Sequence, residues 1–133
     1  MELCGSKTLS RHLSEQPSKK FSEEVAAKYF GQLVKAVDYL HKEGISHRDL
    51  KLSNILVDEQ DKIKLIDFGF ADSSKSKLKE FCGTLSYMAP ELIVKVEYWG
   101  SYVDIWALGV ILYKLVVGIF PFGSSHCSLR RVR

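Results

Sequence analysis

The feature that most constrains this chain is an apolar run near its end. Residues 105–122 read IWALGVILYKLVVGIFPF, eighteen residues in which Lys114 is the one charge. A run of that length either crosses a bilayer as a helix or forms the buried core helix of a globular domain. Asp104 abuts one end of the run, and Gly118 interrupts the other. These features favour a core helix, with Ser101 as its N-cap and Asp104 at the spacing of a capping box.

The composition is that of an ordinary globular domain. The chain has 133 residues, 46% apolar and 26% charged, which suits one domain or part of one and excludes a collagen or a disordered tract. A net charge of +3 is too small to indicate nucleic acid as a partner. The three cysteines (Cys4, Cys82 and Cys127) are odd in number and far apart, which predicts reduced thiols rather than disulfides or a metal site. With no signal-peptide pattern at the start, we expect a cytoplasmic or nuclear protein that binds neither nucleic acid nor a membrane. The sequence does not indicate its oligomeric state.

One long amphipathic helix is predicted between Ser22 and Gly44. Ser22 is a typical N-cap, and Gly44 is a typical residue just past a helix end. Between them, apolar residues recur every four positions, which indicates one buried face. The members of this stripe are Val25, Tyr29, Leu33 and Val37.

A strand pair and a short helix follow. Two short apolar runs, Ile55–Val57 and 63–66, flank a polar turn and predict two paired strands. Residues 71–80 form a polar loop, and a further short helix is predicted after Pro90. The predicted fold class is mainly α, of the α+β type, with a small antiparallel sheet.

Three motifs between residues 47 and 91 indicate chemistry. They are, in chain order, His47-Arg48-Asp49-Leu50 with Asn54 after three further residues, Asp67-Phe68-Gly69, and Ala89-Pro90-Glu91. Any one tripeptide would be weak, but the three in this order are specific. Over residues 1–122 the chain resembles the catalytic C-terminal lobe of eukaryotic serine/threonine protein kinases, and it is most similar to the calcium/calmodulin-dependent and AMP-activated group. Residues 123–133 form a basic tail that we leave unassigned.

The resemblance implies ATP- and magnesium-dependent transfer of a phosphoryl group to a serine or threonine of a protein substrate. Asp49 would orient the substrate hydroxyl, and Lys51 would contact the transferred phosphate. Thr84 would bridge these two side chains. Asn54 and Asp67 would hold magnesium, and with it ATP, through hard oxygen ligands.

The same resemblance places the adenine of ATP at the start of the chain. The stretch 1–4 resembles the hinge between the two kinase lobes, with Met1 at the gatekeeper position. The backbone of Glu2 and Cys4 would then bond the adenine edge, and Leu56 would form the apolar floor below it. A frayed amino terminus is the alternative reading of these residues.

Four further residues have structural roles by resemblance. His47 and Phe68 belong to the motifs themselves. Glu91 would pair with an arginine further along a kinase chain. Asp104 would accept backbone N–H bonds near His47 and Arg48, which would fix the catalytic loop.

Glu80 is a departure that suggests regulation. It lies three residues before Gly83. At this position many kinases of the group carry a phosphorylated threonine, which pairs with the arginine that corresponds to Arg48. A fixed carboxylate there could give a weaker, permanent version of that pair. The alternative is that Glu80 is a solvated loop charge, and the sequence leaves both open.

The larger departure is that the sequence has no G-x-G-x-x-G loop, no V-A-I-K lysine and no helix glutamate to pair with that lysine. We expect about half of a kinase domain, without the N-terminal lobe and the final helices, and negligible activity for this chain alone. The alternative function is a non-catalytic, kinase-like binding module or scaffold that uses apolar surface near 106–117.

Overall fold

The computed structural model describes residues 6–123 of the chain. In chain order they form strand β1 (Lys7–Thr8), helix α1 (Leu9–Ser14), helix α2 (Glu23–Lys42), strand β2 (Ile55–Val57), strand β3 (Ile63–Leu65), helix α3 (Pro90–Ile93) and helix α4 (Gly100–Val117). Two short 3₁₀ turns, Leu52–Asn54 and Leu85–Tyr87, precede β2 and α3. The described part is therefore mainly helical with one small sheet, as the sequence predicts.

Helix α2 confirms the predicted amphipathic helix. The Ser22 hydroxyl accepts a hydrogen bond from the backbone N–H of Val25 at 3.3 Å and caps the helix. Gly44 follows the C-cap residue with a φ of 75°, a left-handed conformation that glycine adopts without strain. The buried side of the helix follows the predicted stripe, except that Val25 is only partly buried, and consists of Ala26, Tyr29, Leu33 and Val37.

Helix α4 is the apolar helix, but the prediction of Ser101 as its N-cap is wrong. The N-cap is Trp99, two residues earlier, which makes no side-chain hydrogen bond, and the helix begins at Gly100. A Cβ on Gly100 would lie 2.6 Å from the Ser46 hydroxyl, so the chain enters the helix in a close contact that only glycine allows. Asp104 does not close a capping box, because its carboxylate binds groups outside the helix.

Only one side of α4 lies in the core. Its inner residues pack against α2 and include Leu108, Ile111 and Leu115. The outer side carries exposed apolar residues, namely Tyr102, Ile105, Leu112, Tyr113 and Val117. Within the described residues, α4 is the one helix long and apolar enough to cross a membrane by length and composition. Its packing against α2 agrees with the predicted core helix, and its outer side agrees with the predicted apolar surface.

The sheet has three antiparallel strands in the order β1-β2-β3. In β2 and β3, Ile55 faces Leu65 and Val57 faces Ile63, so the predicted pair is present and its second strand ends one residue earlier than predicted. Strand β1, which pairs with the outer edge of β2, was not predicted. Two residues are too few to show a hydrophobic period.

Two apolar clusters hold these elements together. The larger joins α1, α2, β2 and α4, and the smaller surrounds α3 and the start of α4. The half-buried Trp106 packs against both. Leu50 of the first motif belongs to the larger cluster, and Ala89 of the third motif belongs to the smaller one.

We predict that Ile111→Ala lowers the free energy of unfolding by about 2–5 kcal/mol, because the Ile111 side chain is fully buried and its removal leaves a cavity. Urea unfolding followed by circular dichroism measures the change. Ile105→Ala is the matched control on the same helix, since Ile105 is 57% exposed. Equal destabilisation by the two variants would contradict the inner and outer sides assigned to α4.

Candidate active site

The loop between α2 and β2 is anchored from below by apolar residues. Leu50 and Leu52 are buried in the larger cluster, and they alternate with Asp49 and Lys51 along the chain. This alternation puts Leu50 and Leu52 in the core and turns the side chains of Asp49 and Lys51 away from it. The Asp49 and Lys51 side chains thus face the 67–91 segment, and the Asp49 carboxylate is buried beneath it.

Asp49, Lys51 and Thr84 form a closed triangle. The Thr84 hydroxyl donates to Asp49 Oδ1 at 2.9 Å, and Lys51 Nζ donates to the same hydroxyl at 2.8 Å. Lys51 Nζ also lies 3.7 Å from Asp49 Oδ2. The bridge that the resemblance implied for Thr84 is therefore present. It fixes both charged groups relative to each other, although 33 residues separate Lys51 from Thr84.

Asn54 and Asp67 supply oxygen atoms beside this triangle. Asn54 Nδ2 donates to the backbone oxygen of Asp49 at 2.9 Å, which leaves Asn54 Oδ1 as its ligating atom. Ile66 N donates to the backbone oxygen of Asn54 at 3.0 Å, so Asp67 follows directly on the strand end that Asn54 faces. Asp67 is exposed, with a φ of 59°.

This donor set fits magnesium. No cluster of three His, Cys, Asp or Glu side chains occurs between residues 6 and 123, so an all-protein metal cage is not found there. Magnesium, however, binds through one or two protein oxygens and completes its shell with water and phosphate oxygens. The carboxylate of Asp67 and the amide oxygen of Asn54 meet that requirement.

Asp104 holds the loop from behind, as the resemblance implied. Its two oxygens accept from the backbone N–H groups of His47 at 2.9 Å and Arg48 at 2.8 Å. His41 Nε2 makes a third contact at 2.8 Å. His41 was missed in the sequence, yet it continues the four-residue stripe of α2 after Val37, and that periodicity could have identified it.

His47 connects the first motif to the second. Its Nδ1 accepts from the backbone N–H of Asp49 at 3.2 Å, so the ring proton is on Nε2, which lies 3.0 Å from the backbone oxygen of Ile66. The ring also packs edge-on against Phe68, with centroids 4.9 Å apart. His47 and Phe68 therefore lie in contact, and Phe68 remains 44% exposed.

Arg48 binds three separate parts of the structure. Its Nε donates to the backbone oxygen of Phe70 at 2.7 Å, its first terminal nitrogen to the Tyr98 hydroxyl at 2.9 Å, and its second to Glu80 Oε2 at 2.8 Å. Burial opposes the charge on Arg48, but the bonds to Glu80 and Tyr98 outweigh it and raise the pKa of the guanidinium. Glu80 therefore contacts Arg48, although its own side chain is 63% exposed. Tyr98 was missed, because no local pattern marks it.

Among the other predicted site residues, the structure describes Leu56 and Glu91, whose side chains make no hydrogen bond to this cluster. Leu56 is half-buried in β2. For Glu91, no ion pair occurs among the residues that the structure describes. Cys82 is a buried free thiol whose pKa is raised, above all by burial. Met1, Glu2 and Cys4 lie outside the described residues, and so does Cys127.

Comparison with known proteins gives consistent matches. A sequence profile described as "Protein kinase domain" matches residues 1–131. A probable serine/threonine-protein kinase KIN1 homolog of Enterocytozoon bieneusi is 50% identical over 106 residues, which cover 78% of this chain and 18% of that protein. Sperm motility kinase 3A of Mus musculus is 42% identical over 134 residues, 99% of this chain and 26% of that protein. CBL-interacting protein kinase 15 of Oryza sativa is 51% identical over 112 residues, 80% of this chain and 26% of that protein. The chain thus spans about a quarter or less of these relatives.

We predict that Asp104→Ala lowers the free energy of unfolding by about 2–5 kcal/mol, because two buried N–H groups lose their acceptor. Asp104→Asn should cost less, since its amide oxygen can still accept. Urea unfolding measures both. Asp38→Ala is the control, because Asp38 is exposed and its pair with Lys42 is worth about 0.3–0.5 kcal/mol. A loss no larger than that of the control would contradict the role assigned to Asp104.

Proposed function

Because this chain belongs to the protein kinase family, we propose that it supplies the catalytic and metal-binding loops of a protein serine/threonine kinase. We further propose that residues 1–122 correspond to the C-terminal lobe of the kinase domain, with the backbone of Glu2 and Cys4 and the side chain of Leu56 lining the adenine site. The single observation that carries the proposal is the triangle of Asp49, Lys51 and Thr84.

The triangle gives each oxygen of Asp49 a different task. Oδ1 is held by the Thr84 hydroxyl. Oδ2 has only longer contacts, 3.4 Å to Asn54 Nδ2 and 3.7 Å to Lys51 Nζ. Oδ2 is therefore the oxygen that would accept the hydrogen of a substrate serine or threonine hydroxyl and aim that oxygen. An Asp49 carboxylate held in one rotamer loses little freedom when the substrate arrives.

Lys51 would face the transferred phosphoryl group. Its ammonium is half-buried and bonded to the Thr84 hydroxyl, which leaves further N–H donors for phosphate oxygens. A fixed positive charge stabilises the negative charge that phosphoryl transfer concentrates at this point. Thr84 belongs to the segment that crosses the loop, so the ammonium is in place only when that segment is docked.

Asn54 and Asp67 would hold magnesium and, through it, the phosphates of ATP. When bound, the metal neutralises phosphate charge and orients the phosphates. Asn54 is buried and its amide nitrogen is already engaged, so its oxygen points in one direction. Asp67 is exposed, but the Gly69 N–H donates to its Oδ1 at 3.3 Å and restricts its rotation.

The test is a chimera that carries residues 6–123 in place of the matching stretch of the rice CBL-interacting protein kinase 15. Transfer of labelled phosphate from ATP to serine or threonine of a protein substrate is measured. Asp49→Asn should lower kcat by about 10²–10⁴-fold, because the hydroxyl loses its acceptor. Asp38→Asn, an exposed change on α2, is the control. The unfused 133-residue chain should show no turnover.

Two results would count against this function. An active chimera whose rate is unaffected by Asp49→Asn would show that the transfer does not depend on this site. An inactive but folded chimera would favour the scaffold alternative, for which the exposed apolar side of α4 is the supporting observation.

We also propose that Glu80 is regulatory and keeps the 67–91 segment docked without phosphorylation. The support is the 2.8 Å contact between Glu80 Oε2 and the buried guanidinium of Arg48. In the chimera, Glu80→Ala should lower the transfer rate about two- to fivefold, the range set by a pair whose carboxylate is exposed. Glu97→Ala, which removes an exposed pair with Lys79, is the control. An unchanged rate for Glu80→Ala would make Glu80 a solvated loop charge.

A further inference from the structure

We propose that Tyr98 is a positioning residue whose hydroxyl holds the 78–84 stretch against Arg48 independently of the Glu80 carboxylate. The proposal rests on the function proposed above, since it concerns how the segment that carries Thr84 stays docked. It assigns a role to a residue that lies outside all three motifs.

The Tyr98 hydroxyl accepts one hydrogen bond and donates another at this contact, and it also lies 3.8 Å from the Cys82 sulfur. Its oxygen accepts from Arg48 at 2.9 Å, and its hydrogen goes to the backbone oxygen of Glu80 at 2.6 Å. The hydroxyl thereby joins the catalytic loop to the backbone of the segment, whatever side chain residue 80 carries. Burial raises the pKa of Tyr98, so the hydrogen that this bond requires is retained at neutral pH.

The ring of Tyr98 is itself fixed. Its backbone pairs with Leu78 in both directions, Leu78 N to Tyr98 O at 2.8 Å and Tyr98 N to Leu78 O at 3.0 Å. The side chain is 3% exposed and packs in the smaller cluster with Leu92 and Val103. Because the backbone of Tyr98 is hydrogen-bonded and its ring is packed, its hydroxyl has a fixed position and can hold the Arg48 guanidinium in place.

The two contacts to the segment differ in their exposure to solvent. The Glu80 side chain is 63% exposed, so water and salt screen its attraction to Arg48. The Tyr98 hydroxyl is buried, and its bonds do not depend on a partner's negative charge. Salt should therefore weaken the Glu80 contact and spare the Tyr98 contact, which separates the two experimentally.

The experiment is amide hydrogen exchange by mass spectrometry on the 133-residue chain, with the Leu78 amide as reporter, in 0.1 M and 1 M NaCl. The variants are Tyr98→Phe, Glu80→Ala and the double variant. Tyr102→Phe is the matched control, because Tyr102 is 65% exposed. The Debye length falls from about 10 Å to about 3 Å between the two salt concentrations.

Tyr98→Phe should speed exchange at Leu78 about tenfold in 0.1 M salt, the effect of losing a buried bond to a charged group, and further in 1 M salt. Glu80→Ala should have a smaller effect that salt does not change. The double variant should exchange at least as fast as Tyr98→Phe does in 1 M salt. Amides in α2 should be unaffected in all of them, which distinguishes positioning from a loss of overall stability.

The proposal is overturned if Tyr98→Phe matches Tyr102→Phe at both salt concentrations, or if it speeds exchange in α2 equally. Should Tyr98→Phe not fold, the Glu80→Ala variant decides: retained protection at Leu78 supports the Tyr98 contact, and full loss of protection contradicts it. Exchange is measured without substrate or ATP, so failure here is distinct from failure of the kinase assay.

Discussion

The carboxylate of Asp104 accepts three hydrogen bonds in a buried position, and the position of the loop that carries Asp49 depends on them. Burying a carboxylate without hydrogen-bond donors would cost several kcal/mol of folding free energy. The three donors around Asp104 offset that cost. Two donors are the successive backbone N–H groups of His47 and Arg48, and the third is His41 at the end of α2. Asp104 lies in the second turn of α4. One side chain thus joins both core helices to the loop between them.

Arg48 and Asp49, the two residues after His47, connect this anchored loop to the 67–91 segment. Arg48 has a φ of 67°, a conformation costly for a non-glycine residue, and its bonded N–H helps to hold it there. In that conformation the Arg48 guanidinium reaches Glu80, while the Asp49 carboxylate reaches Thr84. The segment is therefore fastened at two points four residues apart. The stretch between them is short, so docking at one point restricts the other.

Sequence patterns predict the parts of this arrangement that are local. The four-residue stripe and the caps located α2, because a helix repeats its chemistry within a few residues. The motif spacing located Asp49, Asn54 and Asp67, and the resemblance added the bridge through Thr84. The family itself follows from residues that lie close together in the chain.

Contacts between distant residues were not predicted in the same way. Tyr98 meets Arg48 across 50 residues, and His41 meets Asp104 across 63. The Tyr98–Arg48 pair leaves no period or spacing in the sequence, whereas His41 continues the α2 stripe without indicating its partner Asp104. Ser101 was expected to cap α4 because local spacing fits a capping box, but the longer-range bonds of Asp104 prevailed. Strand β1 is too short to carry any signal.

His47 explains why the two strained residues of the site belong to one unit. Arg48 and Asp67 both have a positive φ. Arg48 lies between His47 and Asp49, whose N–H the His47 ring binds. Asp67 directly follows Ile66, whose backbone oxygen the same ring contacts. The ring accepts from Asp49 N on one side and meets Ile66 O on the other, which requires one nitrogen without and one with a proton. The buried ring of His47 thus ties the loop that carries Asp49 to the strand end that precedes Asp67 through its two ring nitrogens.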